Sequence, residues 1–136
     1  MAATPAFVAT VNPGADLSTQ RMSAANANRD GTGTLYLIVT GGANGERVDR
    51  VQVKATSTTT AGVIRLFVRD ASTNYRLIGE LLVTALTPSA TVKTWEGEFV
   101  RTDGQPLILL KSGWALYGST HNAESFDIVA AASGTL

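Results

Sequence analysis

Short runs of β-branched and aromatic residues, broken by turn-forming residues about every 8–12 positions, constrain the fold of this chain most strongly. Gly, Asn, Asp and Pro favour turns because they adopt backbone conformations or local hydrogen bonds that interrupt strands. The turn-forming strings are Arg29–Gly33, Gly41–Gly45, Asp70–Asn74 and Thr102–Pro106. Regular punctuation of this kind is typical of an all-β sandwich or barrel.

Alternation within the runs supports the strand assignment. In residues 62–70, aliphatic side chains face one way at every second position, as a period of two requires. The residues between them, Arg65, Phe67 and Arg69, face the opposite way. In residues 91–101, the same period places Trp95 and Phe99 on one face and the two nearby glutamates on the other. Both segments are therefore predicted to be strands with one face toward a core.

The remaining segments complete a set of short strands. The predicted strands are residues 7–11, 34–40, 50–56, 62–70, 75–83, 91–101, 107–110, 114–120 and 125–130. Residues 34–40 are apolar on both faces and predict a central strand or one covered by a neighbour. Residues 15–28 contain only Leu17 and Met22 as large apolar side chains, five apart, which is not a helical stripe.

These patterns predict one all-β domain over residues 1–136, a jelly-roll-like β-sandwich of eight or nine antiparallel strands. Residues 1–30 are expected to form an N-terminal arm or an irregular edge segment. The chain shows no internal repeat and no linker that would indicate a second domain.

Charge and composition exclude several classes of protein. Eleven basic residues balance eleven acidic ones, and only 16% of the residues are charged, against about 25% in ordinary soluble domains. Nucleic acid is not an expected partner, because neutralising phosphates requires an excess of Lys and Arg. The longest apolar run, Ile128–Ala132, is far shorter than the roughly 20 residues of a membrane span. The N-terminal residues lack the basic and apolar regions of a secretory signal, so we expect assembly in the cytoplasm.

Few residues are candidates for catalysis or metal binding. There is no cysteine and one histidine, His121, which Glu124 could orient as a general base but which fits a turn better. Glu96 and Glu98 resemble a glycosidase pair, although two residues that share a strand face usually form a solvated surface. Asp30–Gly33 resembles a calcium or phosphate loop but lacks the further ligands and the following helix. We therefore predict no catalytic residue, no cofactor, no metal and no enzymatic activity.

Arginine and aromatic residues suggest interaction surfaces. Residues Arg65, Phe67, Arg69 and Arg76 could bind an anionic glycan or single-stranded nucleic acid, but zero net charge favours a surface between subunits. Trp114 and Tyr117 could stack on sugar rings as in a lectin. Alternation places them on opposite faces, so Trp114 is more simply a core residue.

Several strings resemble those of known proteins. One pair is Asn28–Gly33 followed by Gly41–Val51. A second set consists of Thr58–Val68, Tyr75–Leu77, Leu86–Thr91 and Ser119–Phe126. Together, over roughly residues 25–130, they resemble a widespread group of small virion-associated proteins encoded by tailed bacteriophages and prophages. The likeness lies in turns and strand patterns and transfers no catalytic motif and no binding residue.

The resemblance implies a structural role in the virion, as a capsid decoration or cement protein that bridges major capsid subunits on the head surface. It implies a small β-sandwich or jelly roll that assembles as a homotrimer, with itself and the phage major capsid protein as partners. The alternatives are a tail, collar or head-fibre component, and a carbohydrate-binding β-sandwich module. The residues expected to form interfaces are Phe7, Val8 and Val11 in an N-terminal arm, and Tyr36, Arg65, Phe67, Arg69, Arg76 and Trp95 on outer strand faces. Alternation places Trp95 equally well in the core.

Overall fold

The computed structural model describes residues 17–135 and is all-β, with no helix among them. Nine strands follow one another along this part of the chain. They are β1 (Leu17–Met22), β2 (Tyr36–Thr40), β3 (Glu46–Ala55), β4 (Gly62–Arg69), β5 (Tyr75–Val83), β6 (Glu96–Phe99), β7 (Ile108–Leu110), β8 (Ala115–Thr120) and β9 (Phe126–Thr135). The predicted strand at residues 7–11 lies outside the described residues.

The nine strands form two antiparallel sheets. Sheet A has the order β1-β9-β3-β6, and β7 pairs with the first residues of β3 while β6 pairs with the last. Sheet B has the order β2-β8-β4-β5. No strand in residues 17–135 belongs to both sheets, so the sheets do not close into a barrel.

The inner faces of the two sheets share one hydrophobic core. Trp95 and Phe126 meet edge to face, with ring centroids 5.8 Å apart. Gly79 of β5 lies against the ring of Phe99 of β6, where a Cβ atom would come within 2.9 Å of the ring carbons. The core therefore fills the space between the sheets from both sides, as the alternation in residues 62–70 and 91–101 predicts.

The strands begin and end at other residues than predicted where backbone pairing, and not the side-chain pattern, determines the end of a strand. β3 begins at Glu46 because its first residues pair with both β7 and β9, although the bulges near Val48 obscure the alternation there. Of residues 91–101, only Glu96–Phe99 form a strand, which pairs with Val51–Lys54 of β3, and just before it the backbone N–H of Ala55 donates to the carbonyl of Trp95. Residues 17–22, predicted as loop or irregular edge, form the edge strand of sheet A.

β2 lies at the edge of sheet B, not at its centre. A bulge at Ile38 interrupts its register with β8, and the Gln20 side chain from β1 donates a hydrogen bond to the carbonyl of Leu37. The alternative interpretation of residues 34–40, a strand covered by a neighbour, therefore describes it better. Leu37 itself remains exposed.

Candidate functional site

The β1–β2 loop, residues 23–35, reaches the outer face of sheet B and contacts it. Its first part runs beside β8, where the backbone N–H of Asn26 donates to the carbonyl of Thr120. Gly31, with a φ of 90°, lies so close to Tyr75 of β5 that a Cβ atom would collide with it. Glycine is needed here because it alone combines a positive φ with this close approach.

Asn26 holds the β1–β2 loop in shape. Its side-chain amide nitrogen donates to the carbonyls of Thr32 and Thr34, at 3.0 and 2.9 Å. Its side-chain oxygen accepts from the backbone N–H of Asn28. One buried amide therefore satisfies three backbone groups, which fixes the path of the loop without regular secondary structure.

An ion-pair cluster connects the loop to sheet B. The Arg65 side chain is only 2% exposed and donates from Nε to Glu80 Oε2 at 3.1 Å, and from Nη1 to the Asn26 carbonyl. Arg29 of the loop donates to the same Glu80 oxygen at 2.8 Å. The hydrogen bond and positive charge of Arg29 lower the pKa of Glu80 most, and the hydrogen bond and charge of Arg65 lower it further. A buried guanidinium thus has a charged partner and a loop carbonyl, as its burial requires.

Aromatic residues lie on the same outer face. Phe67 is fully buried although it points away from the shared core, and its register neighbours are Tyr117 of β8 and Leu77 of β5. Tyr75 and Tyr117 meet edge to face at 5.2 Å, and burial raises the pKa of Tyr117. Arg69 lies over the Tyr117 ring at 5.6 Å from its centroid. This part of sheet B is therefore covered by the chain itself.

The outer face of sheet A is open and bears a row of alternating charges that crosses four strands. Its members, here called the charge row, are Arg21 of β1, Asp127 of β9, Lys54 of β3 and Glu96 of β6, which are successive register partners. Arg21 and Asp127 are 2.6 Å apart, and Lys54 and Glu96 are 3.7 Å apart. The hydrogen bond from Arg21 lowers the pKa of Asp127, and the one from Lys93 lowers that of Glu96. Both carboxyl groups of the row are therefore ionised at neutral pH.

Two further rows lie beside the charge row on this face. The next consists of Thr19, Val129, Gln52 and Glu98, and the one after it includes Ala131 and Arg50. Neither Glu98 nor Arg50 forms an ion pair with any residue in 17–135. Three shallow, open depressions of about 330, 360 and 390 Å³ lie on this same face, between the long side chains. The face is broad and its depressions are open, so it is suited to another broad surface.

β5 is the longest strand at a sheet edge, and it is partly apolar. Leu82 is 80% exposed and Ile78 is also exposed. A bulge between Leu77 and Gly79 and the charged residues Arg76 and Glu80 interrupt this edge. Bulges and charges of this kind discourage edge-to-edge pairing of sheets.

The candidate catalytic residues do not form a hydrogen-bonded site. His121 lies in the turn between β8 and β9, and its backbone N–H donates to the carbonyl of Val63. Glu124 accepts hydrogen bonds from the backbone and hydroxyl of Thr60, and no hydrogen bond joins it to His121. Glu96 and Glu98 lie on the open face of sheet A, as their alternation predicts. Among the described residues, no group of three or more His, Cys, Asp or Glu side chains is placed to hold a metal ion.

Some residues predicted to form interfaces are covered within the chain. Arg65 and Phe67 are buried on the outer face of sheet B, and Trp95, only 8% exposed, lies in the shared core. Tyr36 packs against that core, and its hydroxyl accepts hydrogen bonds from the backbone N–H groups of Ser23 and Ala24, which lower its pKa. Burial within one chain leaves the side chains of Arg65, Phe67 and Trp95 little surface to offer a partner, whereas Tyr36 is half-buried.

The other predicted interface residues differ in position. Arg69 is half-buried against Tyr117, and Arg76 is exposed on β5. Phe7, Val8 and Val11 lie outside the described residues. Sequence reasoning missed the charge row, because its members, such as Arg21 and Asp127, are up to 106 positions apart. The only visible signal was the alternation of long polar side chains in residues 50–56 and 96–98.

No protein-family model matches this chain, and neither does any curated protein or solved structure to which it was compared. Within residues 17–135, no helix is long and apolar enough to cross a membrane.

Proposed function

We propose that this chain is a structural virion protein of a tailed bacteriophage, and specifically a capsid decoration protein that stabilises the head by bridging major capsid subunits. The observation on which this rests is the flat outer face of sheet A, where charges of both signs alternate across four strands. A surface of this kind fits another protein surface, since it offers many small electrostatic and shape contacts and no deep cavity among the described residues. The protein acts by binding, not by catalysis.

The strand order supports the jelly-roll part of the proposal. Four antiparallel pairs are nested along the chain: β4 with β5, β3 with β6, β2 with β8 and β1 with β9. A long hairpin with this nesting, rolled so that successive pairs alternate between two sheets, is the plan of a jelly-roll sandwich, an architecture found in viral capsid domains. β7 is then an additional short strand beside β3.

The strings that resemble phage virion proteins are parts of this framework. Asn28–Gly33 lies in the β1–β2 loop that contacts sheet B, and Gly41–Val51 includes the β2–β3 turn and the first part of β3. Thr58–Val68 contains most of β4, and Ser119–Phe126 contains the end of β8 and the turn after it, and these two strands pair with each other. The resemblance and the fold therefore support the same structural role, on the capsid surface of a virion assembled in the host cytoplasm.

The proposal is tested by adding the purified protein to capsids that lack it, taken from the phage or prophage whose genome encodes the chain. We expect the protein to sediment with the capsids, to saturate at a fixed copy number and to raise the temperature at which the heads open. Protein that stays in the supernatant at saturating concentration contradicts the decoration role. Immunogold labelling of intact particles distinguishes the head from the alternative positions on the tail, collar or head fibre.

The carbohydrate-binding alternative has less support from the side chains. Lys111 lies over the Trp114 ring at 5.4 Å from its centroid, and Trp114 packs against the core. Tyr117 is in contact with Tyr75 and Arg69. Because these rings are already engaged, a glycan array is expected to give no signal, and binding to one sugar class would favour this alternative. Light scattering tests the trimer that the resemblance implies.

A further inference from the structure

The geometry points to a second copy of this chain as the partner of the outer face of sheet A, related to the first by a two-fold axis that runs parallel to the strands between β9 and β3. This inference concerns the purified chain and does not depend on the proposed role in the virion. The dimer covers the same face that we propose contacts the capsid, so pairing and capsid binding compete for it, and a two-fold dimer is an alternative to the homotrimer that the resemblance implies.

The charge row selects this axis. Rotation about this axis places β1 of one copy over β6 of the second, and β9 over β3. Positions along the strands do not change, so the charge row of one copy lies over the charge row of the other. Arg21 then faces Glu96 of the second copy, and Asp127 faces Lys54 of the second copy, so that all four facing pairs have opposite charge. An in-plane axis perpendicular to the strands, along the charge row, would instead bring each charged residue over its own copy, and like charges would repel.

In the two rows beside the charge row, the same axis places long side chains opposite short ones. Gln52 of β3 faces Val129 of the second copy, and Arg50 faces Ala131 of the second copy. β9 thus offers small side chains where β3 offers long ones, and the two faces can interdigitate as they approach. With the axis parallel to the strands, the strands of the two copies run side by side in an aligned sheet-on-sheet packing.

The size of the face is of the order that a protein contact needs. Its four strands have 6, 10, 10 and 4 residues, and each residue covers about 3.3 Å along the strand and about 4.8 Å across it. The projected area is therefore about 480 Å² for each copy, before the side chains that rise from it are counted, against the roughly 800 Å² of accessible surface per partner in standard protein interfaces. Since much of the attraction is between exposed charges, the contact should weaken with salt.

Charge reversal in two variants tests the pairing. Arg21→Glu alone places a carboxylate opposite Glu96 of the second copy, twice in each dimer, and Glu96→Arg alone places a guanidinium opposite Arg21, again twice. We expect either change to raise the dissociation constant of the dimer by about 100-fold. Mixed one to one, the two variants should form a heterodimer with nearly the wild-type constant, because the Arg21→Glu copy then meets the Glu96→Arg copy with opposite charges. Sedimentation equilibrium at low ionic strength, with one variant fluorescently labelled, measures all three constants.

The mixture separates pairing from folding. Each variant still lacks its own internal ion pair, so a general loss of stability would not be restored by mixing; circular dichroism checks that each variant is folded. Arg76→Glu, an exposed change on sheet B, is the matched control and should leave the constant unchanged. A wild-type monomer or trimer, a variant that still dimerises, or a mixture that stays monomeric overturns the inference. A protein that dimerises but does not bind capsids even when diluted below its dissociation constant overturns the proposed function alone, and a monomer that binds them overturns this pairing alone.

Discussion

Glu80→Gln gives the most direct test of how the β1–β2 loop is held on sheet B. The substitution keeps the shape of the side chain but removes the negative charge that Arg65 and Arg29 share. Arg65 is then a buried cation with only neutral acceptors, the Asn26 carbonyl and the amide oxygen that replaces the carboxylate. Breaking a fully buried ion pair costs about 3–5 kcal/mol, and since Glu80 is about one-third exposed, water compensates in part. We expect a loss of about 2 kcal/mol, which is roughly 6–10 °C in Tm for a chain of this length.

Urea unfolding followed by the fluorescence of Trp95 and Trp114 measures this loss at pH 7. The matched control is Glu98→Gln, the same chemical change at an exposed residue without an ion pair in the described part of the chain, which should alter stability by less than about 0.5 kcal/mol. A loss from Glu80→Gln no larger than that of the control would refute the argument that Arg65 depends on this carboxylate.

The pH dependence provides a second check on the same substitution. The pKa of Glu80 is lower in the folded protein than its ordinary value near 4.3, so the unfolded state binds more protons between these two values. The stabilisation by Glu80 is therefore complete above about pH 5 and is lost as the pH falls toward the folded pKa. The difference in the free energy of unfolding between the wild type and Glu80→Gln should shrink over this acid range. A difference that stays constant down to pH 3 would contradict a lowered pKa of Glu80 in the folded protein.

Three further outcomes follow from the packing. Phe67→Ala should lower the free energy of unfolding in urea by about 3–5 kcal/mol, because this ring is fully buried. Leu82→Ala, at an 80% exposed side chain, is the control and should lower it by less than about 0.5 kcal/mol. Equal losses from the two substitutions would contradict the burial of Phe67. Gly41→Ala should destabilise by about 2 kcal/mol or more, because its Cβ would collide with a backbone carbonyl that cannot rotate away, and a Tm within 2 °C of wild type would contradict that contact. Asn26→Ala should release the β1–β2 loop and make the bond after Arg29 several times more sensitive to trypsin, and unchanged cleavage would show that the amide does not hold the loop.

The sequence by itself determined the class of fold and the orientation of many side chains. A period of two is a local property, so Trp95 and Phe99 could be placed on the inner face and Glu96 on the outer face without any knowledge of pairing. The turn strings were equally local: the glycines at 31, 33, 45 and 104 have positive φ, as tight turns require. These features depend only on residues a few positions apart.

Only the tertiary structure decided which outer faces are covered. The alternation of residues 62–70 placed Arg65 and Phe67 outside the core correctly, but it could not reveal that both are buried there, with the loop residues Asn26 and Arg29 held to the same face. The charge row is equally hidden in the sequence, because four residues from four strands become neighbours only through the register of long-range pairs. Side-chain period is set by local stereochemistry, whereas the neighbour across a sheet is set by the global arrangement of strands, and the candidate interfaces of this protein depend on the second.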